Sequence, residues 1–541
     1  NIISSIKWKK SMRWADTTLI WARPLRSIYA TFNGKLLLFN YGHLRSTNNI
    51  IAERDLTKNI KKISSFKEYK NFLRKNNIIF DHNERENIIL KKFKQICFKK
   101  NLSEKYNPVT LKEVINLVDN PNIFLVNFDK KYLEIPKEII ISTLESHQRY
   151  FPLFDQKDQL TNNFFVVSNK ADKDNLIKDG NKKVVEARLS DAMFFWKKDK
   201  SKNLIKQISK LKKITFYDKL GTVYDKSIRI KQLAGYLSDD LNISKEKVEI
   251  AASIAKSDLC SELVGEFPEL QGKMGKYFAL AQGFDNDVAN AVSDHYLPYG
   301  NDTAVPKKPI SYTVSIVDKL DTLVGFFLIN QKPSSSKDPF ALRRSAIGLL
   351  KVIIENRLKF KLKDLINYNV ALFKDQGINL LNQNAEIEIL KFLKERMRNI
   401  LKEKDIKIDI IEAAISSHEG ENFLELFKKS ILMNKYINKD IGKNAISSYR
   451  RAHNIIGNSG DKILGKPDAV LFRKEEEKNL FDKINEIRKS LALKESEKNY
   501  ENLLLSLSEL KPFTDNFFDN VVVNDENRDI KNNRLELLQM F

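Results

Sequence analysis

A chain of 541 residues has room for about three or four domains at roughly 150 residues each. Its hydrophobic fraction of 42% can fill real cores, yet no apolar run reaches the ~18 residues needed to span a bilayer. The formal net charge is +23, and the two cysteines, Cys97 and Cys260, lie far apart, which excludes a disulfide scaffold and a cysteine zinc site and suits a reducing cytosol.

In chain order, residues 1 to about 60 mix short apolar runs with aromatic and turn residues, and Asn33-Gly34 between two such runs predicts a hairpin. From about 63 to 120 the pattern is charged and helical, as in "NIILKKFKQICFKK". Strands return in "NIFLVNFDKKYLEIP" and in "RYFPLFDQKDQLTNNFFVVSN", so residues 1–170 read as a mixed α+β domain. From about 180 a 3.6-residue period dominates almost to the end. The chain opens Asn1-Ile2-Ile3, with no initiator Met and no signal-peptide pattern, which reads as a fragment or a processed form.

The lysine excess fits a solvated surface encoded by an A+T-rich genome, so arginine positions say more than the lysine count about a polyanionic partner. Several chemistries are missing. There is no G-x-x-x-x-G-K-[ST] phosphate loop, no G-x-G-x-x-G, no H-E-x-x-H and no G-x-S-x-G. The six histidines (His43, His82, His147, His295, His418, His453) are scattered, with no two at helical spacing. A self-contained nucleotide-using or metalloprotease site is not expected.

Four stretches are informative. In "AKSDLCSELVGEFPELQGKMGKYFA", Asp258, Glu262 and Glu266 recur at i, i+4 and i+8 and predict one acidic helix face, while Gly272 and Gly275 permit close backbone approach. In "VSIVDKLDTLVGFF", Asp318 and Asp321 interrupt an apolar helix and call for cationic partners. In "SSSKDPFALRRSAIGLLKVIIE", Asp338 and Pro339 predict an N-cap and first helical position. Arg343 and Arg344 then fall where the helix dipole disfavours cations by about 0.3–1 kcal/mol. The wheel puts Arg343 in an apolar row, suited to a buried pair with Asp318 or Asp321. Arg344 falls on the polar side, where with Lys337 and the free first-turn N–H groups it suits an external phosphate. In "NAISSYRRAHNIIGNSG", Ile446, Tyr449, Ala452 and Ile456 read as inward and Arg450, Arg451 and Asn454 as outward, a modest nucleic-acid signal.

Together with "SMRWADTTLIWARPLRSI", "LESHQRYFPLFD", "SNKADKDNLIKDGNKKVVEARLSDAMFFWKKD", "KLGTVYDKSIRI" and "FFDNVVVNDENRDIKNNRLELL", the first three of these stretches resemble, in order, the β subunit of the bacterial tetrameric (α2β2) glycyl-tRNA synthetase. The match spans essentially the whole chain but starts partway into the family pattern, so the family's N-terminal segment is expected to be missing. The resemblance implies a non-catalytic, tRNA-binding subunit of a cytoplasmic ligase. The α subunit would carry the ATP- and Mg-dependent adenylate chemistry, tRNA-Gly would be the RNA partner, and this chain would hold no cofactor or membrane anchor of its own. It also implies a B3/B4-like α+β domain over 1–170, a connecting segment over 171–214 and an HD-like helical domain over 215–360. A helical linker over 361–440 and an anticodon-binding helical domain over 441–541 would follow.

The HD-like domain invites a metal hypothesis. By resemblance, Ser257-Asp258 stands at the His-Asp doublet, Asp318 at the distant Asp and His295 at an additional histidine. With serine in place of the doublet histidine, the ligand set falls short of what a hydrolytic metal needs. The alternative reading is an autonomous HD-type phosphohydrolase using Asp258, His295 and Asp318; a scaffold protein comes third. The expected sites are therefore Lys337, Arg344, Arg450, Arg451 and Asn454 for tRNA, and Arg343 with Asp318 and Asp321 as a structural ion pair.

Overall fold

The structure is a computed structural model and describes residues 2–14, 16–54, 57–300, 303–334, 337–417, 422–459, 465–492 and 500–540; His418 lies outside them. The chain forms two compact units, residues 1–201 with 266–270, and residues 202–265 with 271–541.

In the first unit the Asn33-Gly34 hairpin forms as expected. Thr31–Phe32 pairs antiparallel with Lys35–Leu36, and both turn residues take positive φ (48° and 78°), as a two-residue type I′ turn requires. The helices α1 (His82–Lys100) and α2 (Pro108–Leu117) follow, started by the Asp81 and Asn107 side chains. The strands β1 (Asn122–Asn127), β2 (Phe151–Phe154) and β3 (Leu160–Ser168) make an antiparallel sheet in the order β1-β3-β2. Phe93, Cys97, Leu111, Val114, Ile123, Phe151 and Phe165 close the core between this sheet and α1 and α2. The long helix α3 (Leu176–Lys200) packs on β1.

The second unit is helical. It contains α4 (Val223–Leu241), α5 (Lys245–Ile254), α6 (Lys273–Ala281), α7 (Asn286–Asp294), α8 (Pro309–Leu328), α9 (Leu342–Glu355), α10 (Leu362–Asp375) and α11 (Ala385–Lys402). Helix α8 is the axis, with α4, α5, α7, α9, α10 and α11 all packed on it, which explains why it is apolar on nearly every side. Two further helices, α12 (Ile408–Ser416) and α13 (Phe423–Tyr436), lead to a terminal bundle. That bundle comprises α14 (Asp440–Ser459), α15 (Glu475–Ala492), α16 (Tyr500–Ser508), α17 (Leu510–Asn520) and α18 (Arg528–Gln539). Ala452, Leu480, Ile484, Phe517, Leu535 and Leu538 form its core.

Two local expectations are corrected here. Helix α9 starts at Leu342, not at Pro339, because Ala341 takes a left-handed φ of 54° and breaks the chain from the preceding turn. The acidic face over 258–266 does not form either. A 3-10 turn at Ser257–Cys260 separates Asp258 from the short helix Glu262–Glu266, so the three carboxylates leave a common row.

Candidate functional site

The centre of the second unit holds a buried set of charges. Asp321, inside α8, is inaccessible to solvent, and so is Arg229 of α4. The guanidinium meets the carboxylate bidentately, with Nε 2.7 Å from Oδ1 and Nη2 3.0 Å from Oδ2. Its Nη1 donates to Gln376 Oε1, and its Cζ lies 3.9 Å from the centre of the Phe373 ring. Lys226, one turn before Arg229, donates to the Asp318 carbonyl, to Thr322 Oγ1 and to Asp321 Oδ2.

The ion pair expected between Arg343 and these aspartates is therefore not the one present. Arg343 is only half-buried, and its Nη2 donates to the Ser334 carbonyl. The cations that satisfy Asp318 and Asp321 come from α4 and from Lys256. The sequence did carry a signal for them. Lys226 and Arg229 share a helical face with Leu233 and Leu237, so two cations sit on an apolar row of "KLGTVYDKSIRI" and its continuation.

The positions that resemble HD ligands lie beside this pair. Lys256 Nζ sits 2.8 Å from His295 Nε2 and 3.2 Å from Asp318 Oδ2, so its ammonium stands between the two groups a metal would need. Asp258 Oδ2 instead accepts the N–H groups of Gly272 (2.5 Å) and Gly275 (3.0 Å). That cradle needs glycine at 275, where a Cβ would stand 2.6 Å from Val292 and 3.1 Å from the Asp258 carboxyl. Among the described residues, no three His, Cys, Asp or Glu side chains converge on one point. This donor set does not fit a divalent metal, which argues against the phosphohydrolase reading.

Burial and charge set the protonation here. Burial, with the Lys256 charge beside it, holds the His295 imidazole well below its ordinary value. Burial brings Lys319 down to about 7, and its Nζ donates to the carbonyls of His295 and Leu297 and to Ser315 Oγ. Burial alone would raise Asp318, but Lys226, Lys256, His295 and Lys319 together draw it below the usual carboxylate range. At Asp258 burial outweighs the Gly272 and Gly275 N–H groups and Lys256, and pushes it up to about 6.

A pH-dependent effect follows. The folded state holds the Asp258 proton to about pH 6 and the unfolded chain only to about 3.8, so the folded form binds more protons between them. The contribution of Asp258 to stability therefore falls as pH rises through that window and levels off above it. Asp258→Asn removes the ionisation, so between pH 5 and 7.5 the variant should gain roughly 1 kcal/mol on the wild type. Urea unfolding at both pH values measures this, and parallel pH profiles for the two proteins would rule it out.

At the start of α9, Asp338 does cap, across the turn. Its carboxylate accepts the N–H groups of Leu342 (2.9 Å) and Arg343 (3.0 Å). Two of the first-turn donors expected to be open to an external phosphate are thus already engaged. Arg344 and Lys337 are exposed there.

The terminal bundle offers a different surface. Arg450, Arg451 and Asn454 lie outward on α14, and Ala452 is buried, as the wheel predicts. Tyr449 does not point inward: it is 52% exposed and stacks on His453, with ring centres 5.5 Å apart and planes at 12°. An i, i+4 aromatic pair on the solvent side was hidden by counting Tyr449 as apolar. Arg451 is occupied, with Nη1 2.6 Å from Asp515 and its guanidinium 5.2 Å from the Phe518 ring centre. The outward face carries Tyr449, Arg450, His453 and Asn454 as flat rings and donors, with the exposed Arg451 beside them paired to Asp515.

Residues 445–541, which make this terminal bundle, match the family model described as DALR anticodon binding domain. Residues 1–416 match the model described as glycyl-tRNA synthetase beta subunit. A glycine–tRNA ligase beta subunit of Rickettsia canadensis is 39% identical over 539 residues, covering 99% of this chain and 79% of the relative. That of Rickettsia prowazekii is 38% identical over 541 residues, covering 99% and 78%. The chain belongs to the glycyl-tRNA synthetase β-subunit family. Among the described residues, no helix is long and apolar enough to cross a membrane.

Proposed function

We propose that this chain is the tRNA-binding, non-catalytic half of a glycine–tRNA ligase, acting in the cytoplasm in an α2β2 assembly with an α subunit that uses ATP and Mg. The observation that carries the reading is the outward Tyr449–His453 stack beside Arg450 and Asn454, within the segment that matches an anticodon-binding domain. Flat rings take unpaired bases, and the neighbouring guanidinium and amide supply charge and hydrogen bonds. Arg344 and Lys337, both exposed, are a second candidate phosphate contact. Arg451 serves the bundle through Asp515 and orients the helix that carries the stack.

The finer domain assignment belongs to the same reading. The sheet unit over 1–170 serves as a B3/B4-like domain, joined by 171–214 to an HD-like domain over 215–360 in which Lys256 replaces the metal. The helices over 361–440 connect it to the anticodon module over 441–541. The central test is charging of tRNA-Gly by this chain, by the α chain and by both together. Only the mixture should charge, while this chain alone should bind tRNA with strong salt dependence. Glycine-dependent pyrophosphate exchange by this chain without α would overturn the assignment.

A further inference from the structure

A cleft of about 360 Å³ opens in the first unit, where the end of α1, the edge strand β1 and the start of α3 meet. Lys100, Lys178 and Lys182 line it, with one carboxylate, Asp179. Lys178 and Lys182 are half-buried and sit i, i+4 in the first two turns of α3. That spacing repels, and the positive end of the helix dipole disfavours Lys178 in the first turn again. Lys178 Nζ is tied to Asn175 Oδ1 (3.1 Å) and lies 5.9 Å from the centre of the Phe124 ring. Asp179 is the one carboxylate of the lining, while Asp129 interacts with Lys182 and Asp172 accepts the N–H groups of Ile177 and Lys178 (both 3.1 Å). The lining itself carries three ammonium groups to one carboxylate, which favours an anion in the cleft.

The remaining lining says what the anion carries. Asn127 and Asn163 are direct cross-strand partners on β1 and β3, and each amide offers both a donor and an acceptor. Leu125, two residues before Asn127 on the same face of β1, and Leu102 are the apolar lining beside them. Ammonium groups, paired amides and an apolar wall in a volume of this size match one nucleotide: phosphate, polar edge and ring or ribose face.

We propose that this cleft binds a nucleotide through its phosphate, held by Lys100, Lys178 and Lys182, with the base or sugar against Leu102 and Leu125 and in reach of Asn127 and Asn163. The nucleotide is carried on tRNA or is free. The tRNA form rests on the function proposed above, and the free form does not.

The experiment uses the full chain with Lys178→Gln and Lys182→Gln together, and with both as Arg. Binding of fluorescent tRNA-Gly is followed against KCl, and AMP is titrated while lysine acetylation is read by mass spectrometry. If the site takes RNA, the Gln pair weakens tRNA binding roughly tenfold or more at 0.15 M salt and lowers the log–log salt slope by about 1.5, while the Arg pair does neither. If the nucleotide is free, tRNA binding is unchanged but AMP protects Lys100, Lys178 and Lys182 in the wild type. If the tRNA affinity and slope are unchanged and AMP protects none of the three, the proposal is overturned. Wild-type chain that fails to bind tRNA would sink the wider function, and the AMP arm would still decide this site. Should the Gln pair melt early, Lys100→Gln, on a separate helix, repeats the measurement.

Discussion

Arg229→Ala is expected to cost about 3–5 kcal/mol of stability, because it removes one partner of a fully buried pair. Asp321 would be left inside α8 with Lys226 at 3.3 Å as its remaining cation, where two guanidinium hydrogen bonds now hold it. Phe373 and Gln376 would lose their contacts as well. Since α8 is the axis on which six helices pack, the loss should appear as cooperative unfolding of its surroundings. The double change Arg229→Met with Asp321→Leu should recover most of the stability, because no charge then remains unpaired. By contrast, Arg343→Ala, which touches neither aspartate, should change stability by about 0.5 kcal/mol or less. Denaturant unfolding of the four proteins is the measurement. A cost below about 1 kcal/mol for Arg229→Ala would mean that water or Lys226 already satisfies Asp321.

Arg534→Ala should be equally severe, but confined to the terminal bundle. Glu477 is fully buried; its Oε1 accepts Arg534 Nε at 2.6 Å, and its Oε2 accepts the N–H groups of Arg473 and Lys474, both at 2.7 Å. Arg534 Nη1 also donates to the Val522 carbonyl (2.9 Å) and to Asp525 Oδ2 (2.8 Å). One guanidinium thus fastens α18 to the start of α15 and to the loop before α18. Without it about 3–5 kcal/mol is lost locally. Amide exchange across 440–540 should accelerate while residues 82–200 keep their protection, and tRNA affinity should fall with the bundle. Unchanged exchange in α15 and α18 would refute this role.

The elements that were legible in the sequence are those fixed by local chemistry. Asn33-Gly34 can reverse a chain with two positive φ angles, and the apolar runs around 122–127 and 151–168 had no helical period, so hairpin and sheet followed. Helix boundaries were less legible because they depend on single dihedrals: Ala341 in the left-handed region delays α9 by three residues, while Asp338 still caps it from a distance. The buried pair was half legible. Asp318 and Asp321 announced a need for cations, but nearness along the chain pointed to Arg343, whereas the partner, Arg229, is 92 residues before Asp321. At α14 the apolar count misplaced Tyr449, since a tyrosine ring packs inside or stacks in solvent with the same pattern. The nucleotide cleft gave no signal at all, because its lining comes from four separated segments.

Lys256 has a consequence beyond stability. Where an ammonium from the chain's own side joins His295 to Asp318, the cross-link is built at translation and stays with the polypeptide. A chelator is therefore expected to leave the folding of this part unchanged. A cell starved of iron or manganese, or flooded with zinc, would therefore keep this part of its glycine-charging machinery folded while proteins that depend on such ions fail around it.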